Sequence, residues 1–399
     1  MRTSVMRTSA FPGAWRGLLC ACAAGLLAAA GAPQAALAQG AVVRDAVRPA
    51  PVGPGAHRPG PAPALAAAPG PVRPVAREAA RIPFRARFSA VQHGGIVRAG
   101  NTAVRCRTTC PAVRGGRGAG NQDADMSYAD VDSDPNTYNS SRADLAIPDG
   151  ATVSSARLYW GGNLRVGEQK PVADAGRVLV AEPGGEYREV LADTVLGHRR
   201  TAAADVYQAS ADVTGLVRGA GPGMYTVAQA DVARGRSAVG AFGGWTLVVA
   251  YEKADEPLRR LALWDGFEAL DSGHRSVAVQ VPMSTVPKRA AGRFGLVAYD
   301  GDRGVTGDSV TVATDKGRAV PLSDKANGLH DVMNSSITDL GVDRIKRQPF
   351  YANNRGYDSD VFDLTPALTA GGQRLGVRFD AGRDSLWVGA FFVQTAVRD

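Results

Sequence analysis

Two successions of short apolar runs, alike in order, fill most of residues 84–399. The first comprises Ala143–Pro148, Ala156–Gly162, Arg177–Val180, Asp212–Val217, Tyr225–Ala228 and Trp245–Tyr251. The second comprises Val277–Pro282, Arg293–Tyr299, Ser309–Val312, Asp363–Leu368, Leu375–Phe379 and Leu386–Val393. The runs are rich in β-branched and aromatic residues, and clusters of Gly, Pro, Asn and Asp separate them, which is the pattern of strands and turns. Phe84, Ala86, Phe88 and Ala90 alternate with Arg85, Arg87 and Ser89, a period of two. No long amphipathic helical pattern interrupts the series. Asp212 and Asp363 open matching Asp-aliphatic-Thr segments, in which a carboxylate can cap a short helical turn before the chain re-enters a strand. The expectation is an all-β protein: two tandem jelly-roll-like (galactose-binding-like) β-sandwich lobes, 84–255 and 256–399, related by internal duplication. Such a fold does not by itself confer sugar binding.

The segment ahead of this body has a different character. Arg2, Arg7 and Arg16 give a basic start, Gly17–Gly31 is an apolar run, and Ala36-Leu37-Ala38 forms a small-x-small cleavage site, so residues 1–38 read as a secretory signal peptide. Gly25, Gly31 and Pro33 break the run, leaving it short of the roughly 20 apolar residues that span a bilayer. Residues 39–82 are Pro/Ala/Gly-rich with too few large apolar groups for a core, and read as a disordered linker. The chain carries a net charge of +8, but residues 1–82 hold nine Arg against only Asp45 and Glu78. The body is therefore close to neutral, which argues against a nucleic-acid partner. The arm's Arg residues either touch an anionic cell wall or are simply solvated. No C-terminal sorting tail or transmembrane anchor is expected, so the protein should be secreted, extracellular or loosely associated with the cell surface. Cys20 and Cys22 leave with the signal, and Cys106 and Cys110 are expected to form a local disulfide in an oxidising compartment.

Several motifs together carry a family resemblance: Leu158-Tyr159-Trp160-Gly161-Gly162, Gly243-Gly244-Trp245, Trp264-Asp265-Gly266-Phe267, Tyr299-Asp300-Gly301-Asp302-Arg303-Gly304 and Tyr357-Asp358-Ser359-Asp360-Val361-Phe362-Asp363. Through them the body resembles the β-sandwich module of exported, adhesin-like bacterial surface proteins, in which it often precedes tandem repeats of uncharacterised domains. The resemblance implies a surface location and an adhesive context, and no catalytic mechanism travels with it. The chain departs from that pattern by reaching Asp399 without downstream repeats.

Three loops hold the candidate site residues. Asp130, Asp132, Asp134 and Asn136 alternate as in the opening of a calcium loop, although Pro135 stands where the turning glycine belongs; a solvated Asp/Asn-rich turn is the other reading. Asp300, Asp302 and Asp308 surround Arg303, as a cation site or as acids that Arg303 pairs with to order a loop. Asp358, Asp360 and Asp363 form a similar group, with Asp363 also placed as a cap. Trp264, beside Asp265 and Gly266, is expected near a strand end, where its ring could stack on a sugar, whereas Trp160 and Trp245 share a side with Leu158 and Leu247 and belong to the core. The five histidines form no paired metal-ligand motif. The expected function is a non-enzymatic binding or structural module contacting a glycan, cell wall or protein surface, with Ca²⁺ as a candidate cofactor. The alternative is a carboxylate-based glycan hydrolase or amidase with its site between the two jelly rolls, drawing on Asp130, Asp265 and Asp300.

Overall fold

The computed structural model describes residues 77–108, 121–122, 124–132 and 134–397. The expected signal peptide, nearly all of the expected linker, and Cys110 lie outside the described residues, and the Cys106–Cys110 pairing lies outside them with Cys110. The chain is all-β. Strands β1 (Glu78–Ala79), β2 (Ile82–Thr102), β3 (Val104–Cys106), β4 (Met126–Tyr128), β5 (Ser140–Leu145), β6 (Thr152–Asn163), β7 (Arg177–Ala181), β8 (Arg188–Leu191), β9 (Leu196–Arg200) and β10 (Asp205–Asp212) precede helix α1 (Thr214–Ala220). Then come β11 (Gly223–Ala228), β12 (Gly243–Glu252), β13 (Leu258–Leu270), β14 (Ser276–Val286), β15 (Gly292–Tyr299), β16 (Ser309–Thr314), β17 (Val320–Pro321), β18 (Arg347–Gln348), β19 (Tyr357–Asp363), β20 (Gly372–Asp380) and β21 (Leu386–Ala396), with a 3₁₀ turn at Thr365–Leu368.

One sheet of ten strands runs β1-β9-β10-β6-β12-β2-β13-β21-β15-β19, a second runs β18-β5-β11-β7-β8, and a third runs β14-β20-β16-β17. None of these sheets closes. The same pairing scheme occurs twice: β6 lies between β10 and β12 with β2 beyond, as β15 lies between β19 and β21 with β13 beyond. Likewise β11 lies between β5 and β7, and β20 between β14 and β16. The Asp-aliphatic-Thr turns occupy matching places between β10 and β11 and between β19 and β20. Asp212 Oδ1 accepts the Thr214 N–H at 2.8 Å, and Asp363 Oδ1 accepts that of Thr365 at 2.9 Å.

Alternation along the strands divides the apolar residues among three cores. Leu158, Trp160, Trp245 and Leu247 meet Leu145, Val178, Tyr225 and Val227 of the five-stranded sheet. Phe294, Leu296, Phe391 and Val393 meet Val281, Val310, Val377 and Phe379 of the four-stranded sheet. The intervening residues of the ten-stranded sheet, among them Tyr159, Val248 and Ala250 from one half and Leu263, Tyr299, Tyr357 and Phe392 from the other, form a third core. Both faces of the long sheet are thus buried, which explains runs such as Thr246–Tyr251 in which every residue is inside. Burial at about 25 cal/mol per Å² of apolar surface makes these cores the main source of stability.

β2 connects the two halves. Its first part pairs with β13 and its second with β12, and the change of partner falls between His93 and Gly94. Gly94 has φ +133°, and a Cβ there would sit 2.0 Å from the Tyr251 carbonyl oxygen, so only glycine fits. The Gly-Gly pairs of the family-like motifs face each other: Gly243 pairs with Gly162, Gly244 with Gly161, and Trp245 with Trp160. A Cβ on Gly244 would lie 2.8 Å from the Tyr357 ring, and one on Gly161 would lie 3.0 Å from the Tyr299 hydroxyl. The bare backbone there admits the two tyrosines across the third core. Tyr299 and Tyr357 are themselves cross-strand partners with ring centroids 5.6 Å apart, and each leads directly into an aspartate.

Candidate functional site

The loop that follows β15 and the first residues of β19 carry a buried acidic cluster. Asp300, Asp302, Asp308, Asp358 and Asp360 are all buried. Asp300 follows the last residue of β15 in a left-handed conformation, φ +63°, a region that non-glycine residues rarely occupy. Its backbone N–H donates to the Gly356 carbonyl at 2.7 Å, which joins the β15 end to the β19 end. Asp302 accepts hydrogen bonds from the Asn121 N–H at 3.1 Å and from Gln122 Nε2. Asp308 Oδ2 accepts the N–H groups of Val332 and Met333 at 2.8 and 2.6 Å. Asp358 Oδ1 accepts the Ser336 N–H at 3.0 Å. Asp360 Oδ1 accepts from Ser336 Oγ, Thr338 N and Thr338 Oγ1 at 2.7–2.9 Å.

These donors reach only some of the oxygens. Asn121 Oδ1, Asp300 Oδ1, Asp331 Oδ1, Asn334 Oδ1, Asn354 Oδ1, Asp358 Oδ2, Asp360 Oδ2 and Asp384 Oδ2 are buried without a hydrogen-bond donor. All of them are acceptors. Leaving such groups unpaired costs about 1–3 kcal/mol each, and more when they are charged. Burial, with Asp302 and Asp384 nearby, pushes the Asp300 carboxyl well above the usual range. Burial and the Asp384 charge push Asp302 up to about 7, and burial and Asp331 push Asp308 up to about 7. Burial followed by the Asp360 charge pushes the Asp358 carboxyl well above the usual range. Arg303 does not pair with these acids: its Nε donates to the Asn334 carbonyl at 3.2 Å and its Nη2 to that of Ala352 at 2.8 Å, so it ties the loops together through backbone oxygens. Among the described residues, no three His, Cys, Asp or Glu side chains already stand together as a metal-ligand set.

The Asp130–Asn136 loop uses its oxygens differently. Asp130 Oδ1 accepts from Ser140 Oγ, Asp132 accepts from Asp134 N, Thr137 Oγ1 and Tyr187 Oη, and Asp134 Oδ1 accepts from the Asn136 backbone and side-chain nitrogens. Burial opposes the ionised form of Asp132, but hydrogen bonds led by that from Tyr187 hold its carboxyl below the usual range. These are Asx-type turns closed on themselves. Trp264 lies in the middle of β13, half-buried, with its ring stacked on Phe391 at 6.1 Å and 9°. It is not at a strand end, because β13 runs on to Leu270 after a bulge. Asp265 pairs with Arg87 at 2.5 Å and Arg157 at 3.5 Å and accepts from Tyr159 Oη at 3.2 Å. Asp130, Asp265 and Asp300 have no hydrogen-bond or ion-pair partner in common.

Sequence reasoning grouped Asp300, Asp302 and Asp308, and separately Asp358 and Asp360, but missed Asn121, Asp331, Asn334, Asn354 and Asp384. The available signal was the repeated Tyr-Asp at Tyr299-Asp300 and Tyr357-Asp358, at the end of β15 and the start of its antiparallel neighbour β19.

Near Tyr138, Asp231 offers a test of burial. Burial pushes its carboxyl up to about 6, even though the Tyr138 hydroxyl donates to it at 3.0 Å and Lys170 is near. The folded value exceeds the unfolded one, about 3.9, so the group's contribution to stability is fully present below pH 4 and is lost as the pH rises through 6. Asp231→Asn removes this titration. Between pH 4 and pH 8 the variant should lose about 2–3 kcal/mol less stability than the wild type. Urea unfolding at the two pH values measures this, and parallel losses in the two proteins would contradict it.

Residues 114–296 match the model of a family described as a protein of unknown function (DUF3344). The match includes the Gly-Gly motifs and ends before Asp300. No curated protein matches the sequence. Among solved structures, the chain is similar to the major capsid protein P2 from bacteriophage PM2 at 13% identity, covering 66% of this chain and 96% of that one, with a TM-score of 0.19. N-glycanase F (PNGase F) is similar at 10% identity over 65% of this chain and 90% of its own, TM-score 0.19. Quercetin 2,3-dioxygenase from Acinetobacter baumannii is similar at 10% over 77% and 86%, TM-score 0.18. At these scores none of them bears on function.

Proposed function

We propose that the protein is an exported, non-enzymatic binding module of two jelly-roll-like β-sandwiches, whose loop end is ordered by a hard cation such as Ca²⁺ and contacts a glycan or cell-wall surface. The observation that carries the cation is that buried acceptor oxygens near Asp300 and Asp358, among them Asp300 Oδ1, Asp358 Oδ2 and Asp384 Oδ2, lack donors. Calcium takes carboxylate and amide oxygens as ligands, and both kinds are present there. The twice-used pairing scheme supports the two-sandwich reading, and the threefold signal-peptide pattern supports export. A cation that fixes loops at strand ends prepares a contact surface, since such loops are where β-sandwiches place recognition.

The hydrolase alternative needs two carboxylates converging on one substrate bond. Arg87, Arg157 and Tyr159 occupy Asp265, and Ser140 occupies Asp130, which favours binding over catalysis. A glycan array probed in calcium and again in EDTA tests the proposal. A signal that depends on calcium is expected, and no signal in either condition would remove the glycan-binding reading.

A further inference from the structure

A second polar site lies away from the acidic loops, where β2, β5 and the segment 339–346 meet. A cavity of about 150 Å³ opens there, lined by Arg98, Arg293, Arg344 and Lys346 against two acids, Asp144 and Asp339. Arg293, Arg344 and Lys346 are exposed at its rim. Arg98 is buried, 7% exposed, and forms part of the lining from within. Its Nη2 donates to the Thr338 carbonyl, while Nε and Nη1 have no hydrogen-bond partner. Arg98 makes no salt bridge within 4 Å among the described residues, although the Asp360 and Asp339 charges face it, and at the rim Arg293 pairs with Asp339 at 3.9 Å. Ile96 and Phe392 supply apolar wall.

A guanidinium held in a protein interior with Nε and Nη1 unbonded keeps charge-assisted donors that an oxyanion can accept from. The rim has an excess of positive charge, which would draw an anion toward it. The apolar wall suits the body of a small molecule better than a bare ion. We infer that this cavity binds a small organic oxyanion of about monosaccharide size, a carboxylate or phosphate monoester, with its head group on Arg98 and its body against Ile96 and Phe392. Asp360 of the acidic cluster faces Arg98, but the anion probes read this cavity separately from the calcium response.

Isothermal titration calorimetry of the full chain in calcium buffer, with glucuronate, glucose 6-phosphate and glucose as three separate probes, tests the inference. At least one of the two anions should bind and glucose should not; which anion binds identifies the head group as carboxylate or phosphate. Arg98→Met should weaken that binding at least tenfold, and Arg98→Lys should restore part of it. If Arg98→Met fails to fold, the double variant Arg344→Gln/Lys346→Gln, altered only at exposed positions, should weaken binding severalfold and flatten its salt dependence. Absence of binding by both anions, binding of glucose equal to that of the anions, or an affinity unchanged in Arg98→Met would overturn the inference.

Discussion

Calcium should raise the melting temperature of the protein, and EDTA should lower it. At a hundredfold excess over Kd, a ligand that binds only the folded state adds about 2.7 kcal/mol, which for a body of about 300 residues is a rise of roughly 4 °C. The cause is the acidic cluster: Asp300, Asp302 and Asp358 are buried among carboxylates, and Asp300 Oδ1 and Asp358 Oδ2 find no donor. Magnesium should substitute poorly, because it demands small, near-octahedral geometry and gives up its water reluctantly. Asp358→Asn makes the test sharper. The amide cannot ionise, and burial already disfavours the Asp358 carboxylate when no cation is bound, so the variant should match the wild type in EDTA, yet it should lose the calcium response. Differential scanning fluorimetry across a calcium series reads both effects, and identical melting curves in calcium and EDTA would remove the cation from the proposal.

The other large effect belongs to the first core. Trp245→Ala should cost about 3–5 kcal/mol, the range for emptying a buried aromatic site. Trp245 is fully buried in β12 opposite Trp160, and its Nε1 donates to Ser141 Oγ of β5 at 2.9 Å, so one side chain fills the space between two sheets and also bonds across it. Trp245→Phe separates the two contributions: it keeps most of the volume and loses the hydrogen bond, at about 1–2 kcal/mol. Urea denaturation gives both numbers. A loss below about 2 kcal/mol for Trp245→Ala would mean that the neighbouring side chains collapse into the space.

The strands were readable because each buries side chains in a short, β-branched run with its own punctuation. Ala156–Trp160, Trp245–Tyr251, Phe294–Tyr299 and Leu386–Val393 all fall inside β6, β12, β15 and β21. The repeated order was readable too, since β5, β6, β7 and β11 recur in pairing as β14, β15, β16 and β20. β13 was harder: with both faces buried it lacks alternation, and its Asp265-Gly266 looks like a strand end although the strand continues through a bulge. The path of β2 was not readable, because nothing local distinguishes a glycine that lets a strand change partners from one that ends it. For the acids, the local sequence shows only Asp-rich turns. That Asp300, Asp302 and Asp358 are buried depends on Asn121, the 331–338 segment and the Tyr299–Tyr357 pair, which are distant in sequence. Trp160 and Trp245, by contrast, could be placed in the core from alternation alone.

β2 also has a consequence for the order in which the protein assembles. Gly94 pairs with Glu252 and His93 with Leu258, so the strand at the centre of the long sheet is made early and finds both partners only after most of the chain between has been synthesised. Contacts this distant in sequence are slow to form. The two halves can begin to condense around β6 and β15, but the ten-stranded sheet is not joined until β2 is drawn in between β12 and β13. A long strand made early is therefore among the last to settle.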